Sequence, residues 1–319
     1  MFTLDEIVKA TSADVYKEEK NDFCAVVTDT RKISAGVLFV ALKGERFNGE
    51  DFAAEALEKG AAGVVVSKTC AKESLEKCQG TVLQVEDTLT AYQLIAKAWR
   101  DKFPEIPVVA ITGSNGKTTT KDLTAAVLSA KGAVLKTQAN FNNEIGLPLT
   151  LLGLKKEHTA AVVEIGMRGF HQIDALAPIA SPQIGIVTNV GETHMELLGS
   201  IENIAQAKSE LVSAIPAGGT VILNADDEYV AAMRDKAAEG VRVLTYGLKK
   251  KADVHGEAVR TDDGQTVFMV TYASERHEYV LPMVGRHNVY NALAAIAAGF
   301  ALGMDAVEIR KGLLTLETT

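Results

Sequence analysis

The sequence predicts an α/β fold whose main sheet is mostly parallel and covered by helices on both faces. From residue 107 onward, short apolar runs typical of buried strands alternate with segments of helical periodicity. A glycine-rich turn joins one such run to a helix at residues 120–130, whereas residues 252–281 show the alternating pattern of a small antiparallel region. The parallel strand candidates are residues 108–112, 133–136, 160–165, 184–189, 220–224 and 242–246.

A turn at Asp262-Asp263-Gly264 divides the alternating segment into the arms of a β-hairpin. Aspartate followed by glycine readily adopts the positive φ angles of tight hairpin turns. The acidic pair could be read as a metal site, but turn chemistry is the better interpretation. Two helices, at residues 288–302 and 306–314, follow the antiparallel region.

The first hundred residues predict a smaller α/β domain of their own. An amphipathic element is predicted at residues 1–10. It is followed by three strands, at residues 37–42, 62–67 and 81–85, and by two helices, at residues 50–59 and 89–102. The last helix ends near Phe103-Pro104, because proline cannot continue a helix. We therefore predict a first domain at 1–103, a second at 104–314, and the start of a linker at 315–319.

Composition and charge argue against several classes of function. The 319 residues carry a net charge of −8, and no Lys/Arg cluster stands out that would bind a nucleic-acid backbone. Residues 1–10 include three charged side chains and are not a secretory signal, and no apolar run reaches the roughly 18 residues of a membrane span. Three cysteines without metal-like spacing indicate reduced thiols. A cytoplasmic protein without a nucleic-acid partner is expected.

A glycine-rich segment after the strand that ends near Ile111 has the layout of a phosphate-binding loop. Its glycines let backbone N–H groups close around phosphate oxygens, while Lys117 can reach the terminal phosphates and Thr118 can bind Mg²⁺. The loop is short, because Gly113 lies only three residues before Gly116. A generic P-loop kinase or GTPase fits this loop alone. The residues expected at the nucleotide are Gly113, Ser114, Asn115, Gly116, Lys117, Thr118 and Thr119.

Three residues near the ends of later strands are candidates for metal chemistry. Glu164 closes the strand at 160–165, where a carboxylate would bind Mg²⁺ beside a nucleotide. His194 lies in the loop after the next strand, and Lys208 lies on the helix that follows. Taken alone, these would be a solvated carboxylate, a surface histidine and an exposed helical lysine. Beside a phosphate loop, a metal ligand is the better interpretation of Glu164.

Two asparagine-rich segments are also candidates for binding. Asn140, Asn142 and Asn143 could form only a loop, but their amides also suit a polar substrate. Asn288 and Asn291 lie at the start of a late helix, where Asn288 could be only the helix cap.

Together, these segments resemble the Mur ligase family over essentially the whole chain. Residues 28–32 and 36–44 are similar to the family's N-terminal UDP-binding module, so Thr30, Arg31 and Asn48 are expected to face the UDP group. The order and spacing of the motifs make the resemblance specific, although each motif is moderate alone. The other matching segments are residues 112–119, 140–148, 164–166, 194, 207–208 and 286–291.

The resemblance implies an ATP-driven synthesis that joins D-alanyl-D-alanine to UDP-N-acetylmuramoyl-tripeptide for peptidoglycan. The terminal carboxylate of the tripeptide attacks the γ-phosphate, and the amine of the dipeptide then displaces phosphate from the acyl phosphate. The asparagine pattern at 140–148 favours this reaction over that of the sister ligase, which adds the diamino acid to UDP-N-acetylmuramoyl-dipeptide.

The resemblance also implies the roles of individual residues. Lys117 would neutralise charge on the β/γ-phosphates, while Thr118 and Glu164 would hold one Mg²⁺. His194 matches a position near a second metal, and Lys208 matches a lysine that carries a CO₂-derived carbamate. In the asparagine segments, Asn140, Asn142 and Asn143 would face substrate, and Asn288 and Asn291 would lie near the adenine nucleotide.

Family members carry a third, C-terminal α/β domain after the helix that ends near Leu314, and this sequence stops where that domain would begin. The resemblance therefore implies a monomeric fragment that binds UDP-substrate and ligates poorly or not at all. A non-catalytic nucleotide- or UDP-sugar-binding module is the alternative from another class of function.

Overall fold

A computed structural model describes residues 2–44 and 47–316 of the protein. Contacts between Cα atoms divide the chain into two units, with the division between Lys102 and Phe103. Of the segment expected to begin a linker, residues 317–319 lie outside the described residues, whereas Leu316 packs against the core of the second unit.

The first unit contains a five-stranded sheet in the order β2-β7-β6-β5-β4, with β2 antiparallel and the others parallel, and a small β1-β3 pair. Its strands are β1 (Phe2–Thr3), β2 (Asp14–Lys17), β3 (Asp22–Phe23), β4 (Val26–Val27), β5 (Leu38–Val40), β6 (Gly63–Ser67) and β7 (Thr81–Val85). Its helices are α1 (Leu4–Thr11), α2 (Ala53–Glu58), α3 (Lys72–Glu76) and α4 (Thr88–Arg100), with 3₁₀ turns at Thr30–Lys32 and Gly49–Phe52.

Local capping chemistry explains where the two longer helices of this unit begin. Thr3 and Glu6 form a reciprocal capping box at the start of α1, and the Asp87 side chain accepts from Thr90 N at the start of α4. The three predicted strands correspond to β5, β6 and β7. The strands β2, β3 and β4 were not predicted. They are only two to four residues long, which is too short to show a clear apolar pattern, and β2 is also largely exposed.

The second unit is built on a nine-stranded sheet in the order β16-β15-β14-β13-β12-β11-β8-β10-β9. Its strands are β8 (Val108–Thr112), β9 (Ala133–Lys136), β10 (His158–Glu164), β11 (Ile184–Val187), β12 (Thr220–Asn224), β13 (Arg242–Gly247), β14 (Val254–Asp262), β15 (Gln265–Tyr272) and β16 (Glu275–Leu281). Its helices are α5 (Lys117–Ser129), α6 (Gly146–Leu151), α7 (Gln172–Ala180), α8 (Met195–Leu198), α9 (Ile201–Ser213), α10 (Glu228–Ala232), α11 (Arg286–Ala301) and α12 (Ala306–Leu313), with a 3₁₀ turn at Met233–Lys236.

The parallel strands are apolar throughout because both faces of the sheet are covered. Ile222 of β12 belongs to a core that includes residues of α5, α11 and α12. Its neighbours Val221 and Leu223 point to the opposite face and pack with Val212 of α9. The predicted α/β class with a mostly parallel sheet is therefore confirmed.

The antiparallel region is also confirmed, since β14, β15 and β16 pair antiparallel at one edge of the sheet. Asp263 and Gly264 have φ values of +43° and +74° and join β14 to β15, as the turn interpretation of the acidic pair predicts. Among the described residues, no helix combines the length and apolar character that crossing a bilayer requires.

The strand register brings the residues of interest to one edge of the sheet. Glu164 of β10 lies beside Ile111 of β8, and Val187 of β11 lies beside Thr112. The chain leaves β8 toward β9 on one side, while β11 lies on the other side of β8. Open α/β sheets bind ligands at the carboxyl ends of strands around such a reversal.

Candidate active site

The two glycines of the loop between β8 and α5 are required by its shape. Gly113 has a φ of +148°, and a Cβ atom there would lie 1.9 Å from Thr188 Oγ1. Gly116 has a φ of +78°, and a Cβ atom there would lie 2.5 Å from Asn291 Oδ1. A side chain at either position would therefore push the loop away from the sheet and from α11.

The start of α5 offers a set of free backbone donors. No side chain caps this helix, and within the described part of the chain the N–H groups of residues 116–119 have no acceptor. Ser114 N and Asn115 N are not available, because they donate to the backbone oxygen and side-chain oxygen of Asn189, each at 2.9 Å. An anion is therefore expected to bind at the first turn of α5.

The loop after β11 holds the phosphate loop from behind. Asn189 Nδ2 donates to Asn115 O at 2.9 Å, and Thr188 Oγ1 donates to the same oxygen at 2.7 Å. Ser114 Oγ accepts from Gly191 N at 2.8 Å. These contacts fix the loop backbone before any ligand binds.

Lys117 is folded over the phosphate loop. Its Nζ donates to Gly113 O at 2.8 Å and to Ser114 O at 3.3 Å. Burial lowers the pKa of Lys117, and the negative charge of Glu164 opposes that shift. The ammonium therefore lies where it can exchange loop carbonyls for phosphate oxygens.

Glu164 is the last residue of β10 and only 2% exposed. Its Oε2 accepts from Thr118 Oγ1 at 3.0 Å, and its Oε1 accepts from Asn142 Nδ2 at 2.7 Å. The backbone N of Glu164 donates to Thr137 Oγ1 at 3.1 Å. None of these partners is a cation. A buried carboxylate beside a hydroxyl, held by uncharged donors, is a donor set that fits Mg²⁺.

Lys208 is buried in the middle of α9, at 2% exposure. Burial, and to a smaller extent the positive charge of Lys117, lower its pKa to about 7. Within the described residues, its Nζ makes no hydrogen bond or ion pair. The interpretation of Lys208 as an exposed helical lysine is wrong.

His194 lies three residues beyond Gly191, in the same loop that holds the phosphate loop. It is half-buried and has a left-handed backbone, with a φ of +65° at the start of α8. Among residues 2–44 and 47–316, no hydrogen bond or ion pair joins it to Glu164 or Lys208. His194 thus lies in the loop that contacts the phosphate loop, but no contact of its side chain with Glu164 or Lys208 defines its role.

Asn288 and Asn291 are buried on α11 and form the wall beside the phosphate loop. Asn291 Oδ1 accepts from Thr120 Oγ1 at 3.2 Å, and its Nδ2 donates to Asn288 Oδ1 at 3.4 Å. Asn288 Nδ2 donates to Val284 O at 2.8 Å. The helix begins at Arg286, so Asn288 is not its cap.

The three asparagines at 140–143 have three different environments. Asn142 contacts Glu164, whereas Asn143 Oδ1 accepts from the backbone N of Gly146 at 2.9 Å, at the start of α6. Asn140 is exposed, and its backbone oxygen accepts from Asn142 N at 2.8 Å. Only Asn142 therefore reaches the buried carboxylate.

Comparison with known proteins decides the family. Residues 111–299 match the Mur ligase middle domain, and residues 23–100 match the Mur ligase family catalytic domain. The chain belongs to the Mur ligase family. The resemblance predicted from the sequence motifs is confirmed.

Relatives with high coverage are named UDP-N-acetylmuramoyl-tripeptide–D-alanyl-D-alanine ligase. The chain is 46% identical to the Synechocystis protein over 92% of its own length and 61% of the relative, and 39% identical to the Bacillus subtilis protein over 98% and 66%. It thus spans about three fifths to two thirds of these curated relatives.

Solved structures of MurF have the same fold. A crystal structure of MurF from Acinetobacter baumannii matches with a TM-score of 0.92 and 30% identity, over 100% of this chain and 69% of that one. MurF from Thermotoga maritima in complex with ADP matches with a TM-score of 0.79 and 27% identity, over 92% and 66%.

Several residues of this Mur ligase site were missed by the sequence analysis. Thr137, Thr188 and Asn189 hold Glu164 or the phosphate loop, and Asp227 Oδ2 accepts from Val190 N at 2.8 Å. Each lies at or just after the carboxyl end of a strand. That position is the signal that could have identified them.

The residues expected at the UDP group lie in the first unit. Arg31 makes hydrogen bonds to both carboxylate oxygens of Asp29, the shortest at 2.7 Å, and this contact lowers the pKa of Asp29 to about 2. Asn48 Oδ1 accepts from Glu50 N at 3.3 Å, and Thr30 begins a 3₁₀ turn. The Arg31 side chain is 88% exposed, so its guanidinium is accessible to a ligand.

The low pKa of Lys208 predicts a pH-dependent stability in CO₂-free buffer. Between its folded value of about 7 and its ordinary value of 10.5, the unfolded chain binds a proton that the folded chain has released. The free-energy cost of burying the charged Lys208 ammonium is therefore at its full value below pH 7, and it decreases as the pH rises above 7. Relative to Lys208→Met, the unaltered chain should gain about 2–3 kcal/mol in free energy of unfolding between pH 6 and pH 9.

Urea denaturation at several pH values measures this difference. Lys131→Met is the matched control, since Lys131 is 44% exposed and paired with Glu308. If the difference in free energy of unfolding between the unaltered chain and Lys208→Met did not change with pH, the conclusion that burial lowers the pKa of Lys208 would be contradicted.

Proposed function

We propose that this chain is the UDP- and ATP-binding part of a MurF-type ligase, which joins D-alanyl-D-alanine to UDP-N-acetylmuramoyl-tripeptide in peptidoglycan synthesis. The observation that carries the proposal is the buried carboxylate of Glu164, which contacts Thr118 of the phosphate-loop helix and Asn142 of the asparagine segment. One group thus links the nucleotide side of the site to the side proposed for the acceptor. The names of the relatives support the same reaction.

The phosphate loop is proposed to bind the triphosphate of ATP through the free N–H groups of residues 116–119. Lys117 leaves the carbonyls of Gly113 and Ser114 and neutralises charge on the β/γ-phosphates as it accumulates during transfer. Asn288 and Asn291 are proposed to border the adenine nucleotide, since Asn291 lies against Gly116. The function of Gly113–Thr119 is then to hold the γ-phosphate at the edge of the sheet.

Mg²⁺ would be held by Thr118 and Glu164, whose hydroxyl and carboxylate oxygens are suitable ligands. When bound, the ion would stabilise negative charge on the transferring phosphoryl group. Asn142 donates to Oε1 of Glu164 and so orients the carboxylate. Thr137 holds the backbone of the same residue.

Lys208 and His194 are proposed to complete a second metal position. The lowered pKa of Lys208 leaves a substantial fraction of neutral amine at neutral pH, as reaction with CO₂ requires. The ammonium first loses one proton. The neutral nitrogen then forms a bond to the carbon of CO₂ as one C–O π bond opens, and it releases a second proton, so a buried cation becomes a carbamate anion. That change removes the repulsion between Lys208 and Lys117 and provides oxygen ligands. His194 offers an imidazole nitrogen from the loop behind the phosphates.

The remaining steps require that the tripeptide carboxylate lie next to the γ-phosphate and that the amine of D-alanyl-D-alanine lie next to the activated carboxyl carbon. A carboxylate oxygen of the tripeptide forms a bond to the γ-phosphorus as the bond to ADP breaks. The amine of D-alanyl-D-alanine attacks the acyl carbon, inorganic phosphate leaves, and the amine loses its proton. Asn140, Asn142 and Asn143 are proposed to face the peptide of the acceptor.

The first unit is proposed to bind the UDP group, with Thr30, Arg31 and Asn48 as contacts. The cytoplasm is proposed as the compartment, because Cys24, Cys70 and Cys78 are all free thiols. A monomer is proposed as the working state.

ADP release by the full-length gene product tests this function. With ATP, Mg²⁺ and UDP-N-acetylmuramoyl-tripeptide present, release should depend on added D-alanyl-D-alanine. Release that depends instead on a diamino acid and UDP-N-acetylmuramoyl-dipeptide would identify the sister ligase. Absence of any substrate-dependent release, with UDP-substrate still bound, would favour a non-catalytic binding module.

A further inference from the structure

A groove of about 600 Å³ runs beside α5, along the side of the helix that faces the edge strand β9. Thr118 and Thr137 line the groove, and these residues also hold the side chain and the backbone of Glu164. Part of the groove is therefore formed by residues that contact Glu164, the proposed Mg²⁺ ligand. None of the roles proposed above uses the rest of it.

Lys121 lines this groove and is only 3% exposed. Within residues 2–44 and 47–316 its Nζ makes no hydrogen bond, and its ion pair is with Asp122 Oδ1 at 3.5 Å. The same oxygen already accepts from Lys136 Nζ at 2.7 Å. Two ammonium groups thus share one carboxylate, which leaves a surplus positive charge and the donors of Lys121 unfilled.

The groove lies on the face of α5 away from the side proposed for the nucleotide base. Gly116 and Thr120, four residues apart, face Asn291. Thr118 and Lys121, three residues apart, share the other face and line the groove. A ligand in the groove would therefore extend from the γ-phosphate in the direction opposite to the base.

We propose that the groove binds a carboxylate of the acceptor peptide, other than the carboxylate that is phosphorylated, through Lys121 and Lys136. This inference rests on the proposed function. Lys121 lies about 4.5 Å along the helix axis from Thr118, a distance that neighbouring groups of one peptide can span. The surplus charge and the unfilled ammonium donors match a carboxylate, whereas an uncharged segment would leave them unpaired.

Isothermal titration of the 319-residue chain with UDP-N-acetylmuramoyl-tripeptide tests the groove. Lys121→Met should weaken binding by about 10- to 100-fold, and Lys121→Arg should restore most of it. Lys131→Met is the matched control, because Lys131 is paired with Glu308 and does not line the groove. Affinity for Mg·ADP should be unchanged in all three variants, and thermal melting checks that each is folded.

A tripeptide substrate with its non-reacting carboxylate converted to an amide provides the second arm. It should bind the unaltered chain as weakly as the natural substrate binds Lys121→Met, and Lys121→Met should not weaken it further. If Lys121→Met bound the tripeptide substrate with unchanged affinity, or lost affinity only for Mg·ADP, this inference would be overturned and the proposed function would still stand. Failure of the unaltered chain to bind the tripeptide would overturn the proposed function together with this inference.

Discussion

Replacing Lys117 with alanine is expected to lower ATP-dependent ADP release by the full-length protein by about 10²–10³-fold or more. The Lys117 ammonium lies at the phosphate loop, 2.8 Å from Gly113 O, and no other ammonium contacts these loop carbonyls among the described residues. Its loss removes a preorganised positive charge from the position where negative charge accumulates on the phosphates. Steady-state release of ADP at saturating substrates measures the effect.

The same substitution should leave binding of the UDP-substrate within about twofold, because the residues proposed for the UDP group lie in the other unit. The residues proposed for the peptide share the unit of Lys117, but its ammonium donates to Gly113 O and Ser114 O and to none of them. Calorimetry with UDP-N-acetylmuramoyl-tripeptide supplies that comparison, and Lys131→Ala serves as the control for loss of a lysine. Equal losses of nucleotide chemistry and UDP-substrate binding would contradict the assignment of the two functions to separate residues.

Replacing Lys208 with alanine is expected to reduce the same activity by about 10²-fold or more, because a metal-binding carbamate would be lost. The side chain is 2% exposed, so the substitution also leaves a cavity. A short carboxylic acid such as acetate or formate should enter that cavity and restore part of the activity.

Lys208→Met provides the control for this rescue, since it fills most of the space and should not respond to the acid. Restoration of both variants by the acid, or of neither, would argue against a carbamate at this position. Circular dichroism of each variant separates loss of folding from loss of the metal ligand.

The local part of the site could be predicted from the sequence. A strand, a glycine-rich turn and a helix are consecutive, so the phosphate loop and the positions of Lys117 and Thr118 follow from local pattern. Glu164 could be predicted in the same way, because it ends an apolar strand. The mostly parallel sheet and its antiparallel edge also follow from periodicity.

The rest of the site could not be predicted, because it depends on the order of the strands in the sheet. The periodicity of apolar residues does not reveal that order. Asn189 holds Asn115 only because β11 lies directly beside β8, although 75 residues separate the ends of the two strands in the sequence. Lys208 is buried because α9 packs on this part of the sheet, whereas an isolated helical lysine is normally exposed. The cap interpretation of Asn288 failed because α11 starts at Arg286.

Isotopic labelling of the acceptor tests activation of a carboxylate at this site most directly. The terminal carboxylate of UDP-N-acetylmuramoyl-tripeptide is labelled with ¹⁸O, and the full-length protein is supplied with ATP, Mg²⁺ and D-alanyl-D-alanine. If an acyl phosphate forms and the amine displaces phosphate, one labelled oxygen per turnover should appear in inorganic phosphate. Amide formation with no label in phosphate would contradict the proposed chemistry.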